Sequence, residues 1–182
     1  MSLFVLQKTK PRIFGLRSKN RVKASSLSFS NQPDEDDLQN MVASFLCDNG
    51  YTEIMSNSLT TAAYQEQYDL QNTVKILNPL SNDLGVMRQS LLFSGLESVI
   101  YNINRKNNSL KFFEFGKTYH KFESGYSEQK HLTLFVSGSR SKERWNVTQK
   151  MSDFFYLKGL VVTLLQRLGI QKIKTTPTKN DV

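Results

Sequence analysis

Few residues in this sequence could support metal or acid–base chemistry, and they lie far apart along the chain. The two histidines, His120 and His131, fall on successive predicted strands, and Cys47 is the single cysteine. Zinc sites draw their ligands from closely spaced cysteines and histidines, and no such spacing occurs in this sequence. We therefore predict no metal site, and we interpret both histidines as ordinary residues at strand ends.

The stretch NPLSNDLGVMRQSLL, residues 78–92, has the most unusual composition, because a proline turn, Arg88 and Ser90 precede an apolar run. No histidine is close to Ser90 in the sequence, so an activated serine is not indicated, and Ser90 is expected to cap a helix. The sequence contains no glycine-rich phosphate loop and no G-x-S-x-G pattern. It therefore offers no free-standing catalytic centre.

Two interpretations of Arg88 remain open. The first is a structural role, with the guanidinium bonded to loop carbonyls or to an acid such as Asp83. The second is a contact across a subunit boundary. Glu114 lies within an aromatic predicted strand, and a buried carboxylate needs a partner. Arg88 and Glu114 are therefore a testable ion pair.

Composition limits the class of protein. A chain of 182 residues can form one domain with a buried core, and 38% apolar residues with 11% aromatics indicate a globular chain. One cysteine cannot form an internal disulfide, which favours a reducing compartment. No apolar run approaches the roughly 18 residues of a membrane-spanning helix, and the N-terminus lacks the apolar core of a signal peptide. We expect a cytoplasmic protein without a membrane segment.

The net charge of +8 is concentrated at the N-terminus. Residues 1–30 contain seven lysines and arginines and no acid, whereas the other 17 basic residues are offset by 16 acidic residues. We predict a basic arm or linker over residues 1–30 and a folded domain over residues 31–182. The arm could contact nucleic-acid phosphates, or it could be a solvated linker.

Three helices are predicted from apolar spacing and capping residues. The first covers about residues 35–49, behind an acidic first turn and before Asn49–Gly50. The second covers about residues 90–104. The third opens at Ser152–Asp153 and ends at Gly169, with Phe154 among its inward-facing residues.

Strands are predicted in the remaining segments. They are YTEIMSNSL, TVKILN, LKFFEFGKTYH and HLTLFVSG, with the polar KFESGYSEQK as an excursion between the last two. TAAYQEQYDL is predicted as a short helix or a structured loop. Strands joined by hairpin-like excursions and flanked by helices indicate an α+β fold with a mainly antiparallel sheet.

Several segments in a fixed order resemble the β subunits of bacterial phenylalanine–tRNA ligases (phenylalanyl-tRNA synthetases). They are NGYTEIMSNSLT, VKILNPLSNDLGVMRQSLLFSGLESVIYNINRK, FFEFGKTYH and DFFYLKGLVVTLLQRLGI. The resemblance implies the catalytic-like module of that subunit, with a class II synthetase fold and no catalytic activity of its own. It also implies a fragment of a longer subunit, cut before its third class II motif.

The resemblance extends to class II motif 2, in which FFEFGKTYH looks like the first strand. Active enzymes of the class continue this strand with an arginine, two residues before an acid, that holds the ATP α-phosphate through a planar fork. In this sequence His120 and Lys121 occupy that place, followed by Phe122 and Glu123. Lysine is a flexible point charge, so His120, Lys121 and Glu123 are interpreted as degenerate motif 2 positions and the nucleotide clamp is expected to be lost.

The partners implied by the resemblance are an α subunit, which activates phenylalanine with ATP and Mg²⁺ in an α2β2 enzyme, and a tRNA. This segment is expected to bind no cofactor and to support assembly. Apolar stripes on the first two helices could associate with the α subunit, or with a second copy of the fragment. The residues singled out as interface or structural candidates are Phe45, Asn78, Pro79, Arg88, Leu92, Leu96, Ile100 and Glu114.

Two alternative functions remain open, each from a different class of protein. One is a free-standing class II synthetase-like ligase, which ATP–pyrophosphate exchange would identify. The other is an RNA-binding module with a basic arm, whose affinity for RNA would fall steeply with salt and would be lost with residues 1–23.

Overall fold

The structure is a computed structural model that describes residues 2–6, 34–67, 70–141, 145–146 and 148–176. Within those ranges its main elements are three α-helices and six strands. They are β1 (Ser2–Leu6), α1 (Glu35–Asp48), β2 (Thr52–Glu53), β3 (Leu59–Thr60), β4 (Val86–Met87), α2 (Leu92–Ile103), β5 (Leu110–Phe122), β6 (Gly125–Ser137) and α3 (Phe154–Arg167).

The larger sheet has the order β1–β6–β5–β2. The pairs β1–β6 and β5–β6 are antiparallel, whereas β2 pairs with β5 in parallel through Thr52–Phe112 and Glu53–Phe113. A separate two-stranded antiparallel sheet joins β3 to β4. The predicted mixture of helices and sheet is confirmed, and the prediction of a mainly antiparallel sheet is confirmed only in part.

Strands β5 and β6 form one long hairpin, although the sequence predicted a polar excursion over KFESGYSEQK. Strand β5 continues to Phe122, and β6 begins at Gly125, whose φ of 122° suits glycine alone. Strand β1 covers residues 132–136 of β6, and β2 covers only residues 112–113 of β5. Among the described residues, no further strand flanks the end of the hairpin at residues 121–130.

Helices α1 and α3 pack on one face of the sheet. Helix α1 begins where the Asp34 carboxylate accepts the N–H of Asp36, and α3 begins where Asp153 accepts the N–H of Tyr156. Their apolar faces meet Phe113 of β5 and form the main core. Its buried members are Val42, Phe45, Leu46, Tyr51, Phe113, Leu134, Val136, Leu157, Val161 and Leu164.

Helix α2 covers the opposite face, where Val99 packs with Leu110, Phe112 and Phe135. The sheet thus lies between α2 and the α1–α3 pair. The predicted strand TVKILN is reduced to one antiparallel bridge between Lys75 and Val86. The N–H of Ile76 donates to the carbonyl of Gly85, and the N–H of Met87 donates to the carbonyl of Val74, both at 2.9 Å. Phe154, predicted to face inward, is 48% exposed at the first residue of α3.

The N-terminus also differs from the expected arm. No element was predicted before residue 31, yet residues 2–6 form β1, in a five-residue register against β6 from Ser2–Val136 to Leu6–Leu132. Residues 7–33, which carry the basic residues of the predicted arm, lie outside the described residues. The division of the chain at residue 30 stays a prediction.

Candidate functional site

The Arg88–Glu114 cluster, which we define as Arg88, Glu114 and Ser56, is the most buried polar arrangement among the sequence candidates. Arg88 follows β4, and its Nη1 donates to Oε1 of Glu114 in β5 at 2.8 Å. The two side chains are 5% and 1% exposed. The ion pair predicted from the sequence is present, and it lies on the α2 face of the sheet.

Backbone bonds hold Arg88 against β5. Its Nε donates to the carbonyl of Lys117 at 3.0 Å, and its own carbonyl accepts the N–H of Tyr119 at 3.0 Å. Its backbone N–H donates to the carbonyl of Ser58 at 2.9 Å. These contacts fix the guanidinium before any ligand arrives, and they agree with the structural interpretation of Arg88, although the expected partner Asp83 takes no part.

Ser56 completes the cluster, and sequence reasoning missed it. Its Oγ lies 2.7 and 2.8 Å from the two carboxylate oxygens of Glu114, and it accepts a bond from Nη1 of Arg88 at 2.9 Å. Ser56 sits 58 residues before Glu114 in the chain, in a segment without regular structure. No sequence signal could have indicated this contact.

Gly116 makes room for the cluster on β5. A Cβ at this position would lie 2.5 Å from Nη2 of Arg88 and 2.3 Å from Cδ2 of Leu91. The guanidinium and the leucine therefore occupy the space directly above the strand. The Glu114 carboxylate is paired with Arg88, and the Ser56 hydroxyl is bonded to both residues. The cluster therefore stabilises this face of the sheet and leaves little capacity to bind a substrate there.

The degenerate motif 2 positions lie near the tip of the hairpin. His120 stacks on Phe122 with ring centroids 6.0 Å apart, Lys121 is exposed opposite Tyr126, and Glu123 is exposed in the turn. The three residues do not converge on a pocket with Arg88, which bonds β5 nearer its middle. The arrangement contains no planar cationic fork for a phosphate.

The two histidines lie on different strands of the hairpin, His120 in β5 and His131 in β6. His131 bonds Thr118 through Nε2 at 2.8 Å, and burial, followed by the charge of His120, lowers the pKa of His131. Throughout the described residues, no group of three or more histidines, cysteines, aspartates or glutamates could hold a metal ion. No helix in the described part of the chain is long and apolar enough to cross a membrane.

The predicted apolar stripes have different surroundings. Phe45 of α1 is buried in the main core, so it cannot serve as an exposed contact in the folded chain. On α2, Leu92 and Leu96 are half-buried, and Ile100 is 56% exposed. Asn78 and Pro79 lie in an exposed bend between Leu77 and Leu80, which are 98% and 96% exposed.

Comparison with solved structures defines the class. A pyrrolysyl-tRNA synthetase from Desulfitobacterium hafniense matches with a TM-score of 0.57 and 18% identity, over 79% of this chain and 50% of that one. An ATP phosphoribosyltransferase regulatory subunit/histidyl-tRNA synthetase from Bacillus halodurans C matches with a TM-score of 0.54 and 16% identity, over 90% and 40%. The fold is that of the class II aminoacyl-tRNA synthetases.

Sequence comparison then gives the family. Residues 19–182 match the family model for the phenylalanyl tRNA synthetase beta chain CLM domain, and the chain belongs to this family. Phenylalanine–tRNA ligase β subunits of Bacteroides fragilis (strain ATCC 25285) and Porphyromonas gingivalis (strain W83) are 45% and 36% identical, over 80% and 73% of this chain. The chain spans 19% and 18% of those relatives' lengths. The resemblance inferred from the sequence is confirmed.

Proposed function

We propose that this chain is the non-catalytic, class II-like module of a phenylalanine–tRNA ligase β subunit and supports assembly with the catalytic α subunit. The observation that carries the proposal is the family match over residues 19–182, together with relatives at 45% identity that are named as this β subunit. A free-standing ligase is disfavoured, because the relatives are named as subunits rather than as complete enzymes.

Two features support the absence of catalysis in this chain. His120 and Lys121 stand on the hairpin where the resemblance calls for an arginine fork, and a lysine cannot bind two phosphate oxygens in one plane. On the α2 face, the Arg88–Glu114 cluster and Leu91 fill the space above Gly116. A nucleotide would have to displace a buried ion pair to lie against β5 at this point.

The whole enzyme would act in the cytoplasm on phenylalanine, ATP with Mg²⁺ and a tRNA, in an α2β2 assembly. This module would bind none of the small molecules itself. The lone cysteine, Cys47, and the near-balanced charge of residues 31–182 are consistent with this role. The basic residues of the predicted arm would act separately from the folded domain.

Helix α2 offers the surface for a subunit contact. Ile100, Tyr101 and Ile103 are 56%, 57% and 41% exposed, and Leu77 and Leu80 are exposed on the preceding loop. Burying each large apolar side chain contributes roughly 1.5 to 3 kcal/mol. A few such residues suffice to stabilise association with the α subunit, or self-association when the α subunit is absent.

The experiment is co-expression of the chain with the α subunit, followed by purification through a tag on one subunit and an assay of phenylalanine-dependent ATP–pyrophosphate exchange. We expect the subunits to purify together and the chain alone to be inactive. Exchange catalysed by the isolated chain would contradict the non-catalytic assignment. Failure of the two subunits to purify together at high concentration would contradict the assembly role.

A further inference from the structure

A small cavity of about 260 Å³ opens at the end of the sheet opposite the hairpin turn. Its wall is formed by the start of β5, the segment that follows β6, and the residues just before and at the start of β2. The polar side chains that line it include Lys111, Arg140, Asn107 and serines Ser109 and Ser139, and none of the described residues that line it is a carboxylate. We call it the Lys111 pocket.

The two cations of the pocket differ in their partners. Arg140 is held in place, because its Nη2 bonds the Asp153 carboxylate at 2.7 Å and its Nε donates to the carbonyl of Met151 at 3.0 Å. Lys111 forms no ion pair within the described residues, and its Nζ lies 5.2 and 5.9 Å from the ring centroids of Tyr156 and Tyr51. Among the described residues, Lys111 therefore contributes a positive charge that no ion pair offsets.

The two serine hydroxyls differ, because Oγ of Ser139 already donates to Oε1 of Gln149 at 3.3 Å. The Oγ of Ser109 accepts the backbone N–H of Ser139 at 3.1 Å, which leaves its own proton to point at a ligand. Gly138, with a φ of 71°, lets the two segments cross closely, since a Cβ there would lie 2.4 Å from the carbonyl oxygen of Asn108. The serines are thereby fixed by the backbone before a ligand binds.

The basic residues around the pocket favour a ligand that places one negatively charged group inside it and extends beyond it. The segments NRKNNSLK (104–111) and GSRS (138–141) contain four basic residues and no acid. Of these four, Lys111 and Arg140 line the pocket. Cavities for drug-sized ligands measure roughly 300 to 1,000 Å³, so this pocket suits one oxyanion and not a whole nucleotide.

We propose that the Lys111 pocket binds one phosphate group of an RNA backbone. Phosphates in nucleic acids are contacted by lysine, arginine, serine and asparagine side chains, which is the set that lines the pocket. The oxyanion chemistry follows from the pocket, whereas the choice of RNA rests on the proposed function, because the relatives are named as tRNA ligases. A free phosphate and an acidic segment of a partner protein are the competing ligands.

The test compares Lys111→Met with Lys121→Met in the full 182-residue chain. Both changes remove one lysine charge from β5, but the two positions are ten residues, or roughly 33 Å, apart. Affinity for a short labelled RNA hairpin is measured by fluorescence anisotropy over a range of salt. We expect Lys111→Met to weaken binding about tenfold and to reduce the slope of log K against log salt by about one.

Matched measurements separate the explanations. Lys111→Arg should retain the salt slope, and equal melting temperatures of the three variants and the parent exclude a folding defect. Equal effects of the substitutions at positions 111 and 121, or none at 111, would overturn the proposal. The proposal would also be overturned if inorganic phosphate bound tightly to the parent chain without lowering its affinity for RNA. Displacement of the labelled RNA by polyglutamate as effectively as by unlabelled RNA would overturn it too. None of these results depends on the α subunit, so failure of the assembly role remains a separate outcome.

Discussion

Gly95 of α2 lies directly against the aromatic ring of Phe135 in β6. A Cβ at position 95 would stand 1.9 Å from Cζ of that ring and 2.3 Å from Cε2. Phe135 is fully buried in the smaller core, where it packs with Val99 of the same helix. The missing side chain at position 95 therefore sets how closely α2 approaches the sheet.

Replacing Gly95 with alanine should destabilise the fold. Alanine is the better helix former by roughly 1 kcal/mol, but overpacking a core costs about 1 to 3 kcal/mol, and the ring cannot yield without shifting β6. Gly159→Ala in α3 is the matched control, because its Cβ would meet nothing within 4 Å and should stabilise the chain. Urea unfolding of both variants checks this, and equal midpoints would contradict the packing argument.

Breaking the ion pair of the Arg88–Glu114 cluster should be costly from either side. Arg88→Met leaves the Glu114 carboxylate buried beside Ser56 without its cation, and loss of one member of a buried pair costs about 3 to 5 kcal/mol. The double variant Arg88→Met/Glu114→Leu removes both charges and should be more stable than either single variant. Free energies of unfolding test this through a double-mutant cycle. Additive losses would show that the two residues do not act as a pair.

Removing residues 1–6 should lower the melting temperature, because residues 2–6 form a strand of the sheet rather than a solvated linker. The deletion removes β1 and exposes the edge of β6 from Leu132 to Val136. In a chain of this size each kcal/mol corresponds to about 2 to 4 °C. Replacing Lys8, Lys10 and Arg12 with glutamine is the control, since it changes charge without removing the strand. An unchanged melting temperature on deletion would mean that β1 adds nothing to stability.

Ile100→Glu should weaken association while preserving the fold. Its side chain is 56% exposed on α2, so the carboxylate remains hydrated in the lone chain but would be desolvated in an apolar interface. Gln166→Glu, at an exposed position of α3, adds the same charge on the opposite face of the sheet. Sedimentation and capture of the α subunit measure the difference. Equal self-association and equal capture of the α subunit by the two variants would show that Ile100 is not part of the interface.

The chain should lose stability as pH falls through the range where histidines titrate. Burial lowers the pKa of His131 below the usual 6.5, and within the described residues its Nδ1 has no hydrogen-bond partner. As pH falls, the unfolded chain therefore takes up the proton before the folded chain does. The contribution of neutral His131 to the free energy of unfolding is fully present above pH 6.5 and declines below it. Melting temperatures at pH 7.5 and 5.5 should differ less in His131→Gln than in the parent. An identical pH response in the variant and the parent would show that His131 does not cause the loss of stability. His120→Gln should retain most of the response, because burial lowers the pKa of His131 more than the charge of His120 does.

Two of the three helices could be predicted because an aspartate defines where each begins. Helix α2 instead follows Leu91 without a side-chain cap, and Ser90, which was expected to cap it, accepts the N–H of Leu92 at 3.2 Å. Asp34 and Asp153 cap α1 and α3 as their positions indicated, and Gly169, with a φ of 84°, follows the end of α3. The length of the hairpin could not be predicted in the same way. Within the described part of the chain no further strand flanks its outer end, and residues 121–130 are mostly exposed and polar and look like a loop in the sequence.

The candidate site was predictable only where a residue needed a specific partner. Glu114 is flanked by core phenylalanines, which indicated a buried carboxylate and therefore a cation such as Arg88. Ser56 carried no comparable signal, because a serine in an irregular segment is ordinary. Phe45 and Ile100 looked alike as members of apolar stripes, and only the packing of α1 against α3 distinguished the buried residue from the exposed one.

The pairing of β1 with β6 has a consequence for the order of folding. Strands β5 and β6 are separated by a two-residue turn, so their pairing closes a very short loop, whereas Leu6 must find Leu132 across more than a hundred intervening residues. The entropy of loop closure grows with separation, and non-local pairings form late. We expect the hairpin to form in the transition state and β1 to dock afterwards. Pulse-labelled hydrogen exchange that protects β1 amides as early as those of β5 would contradict this order.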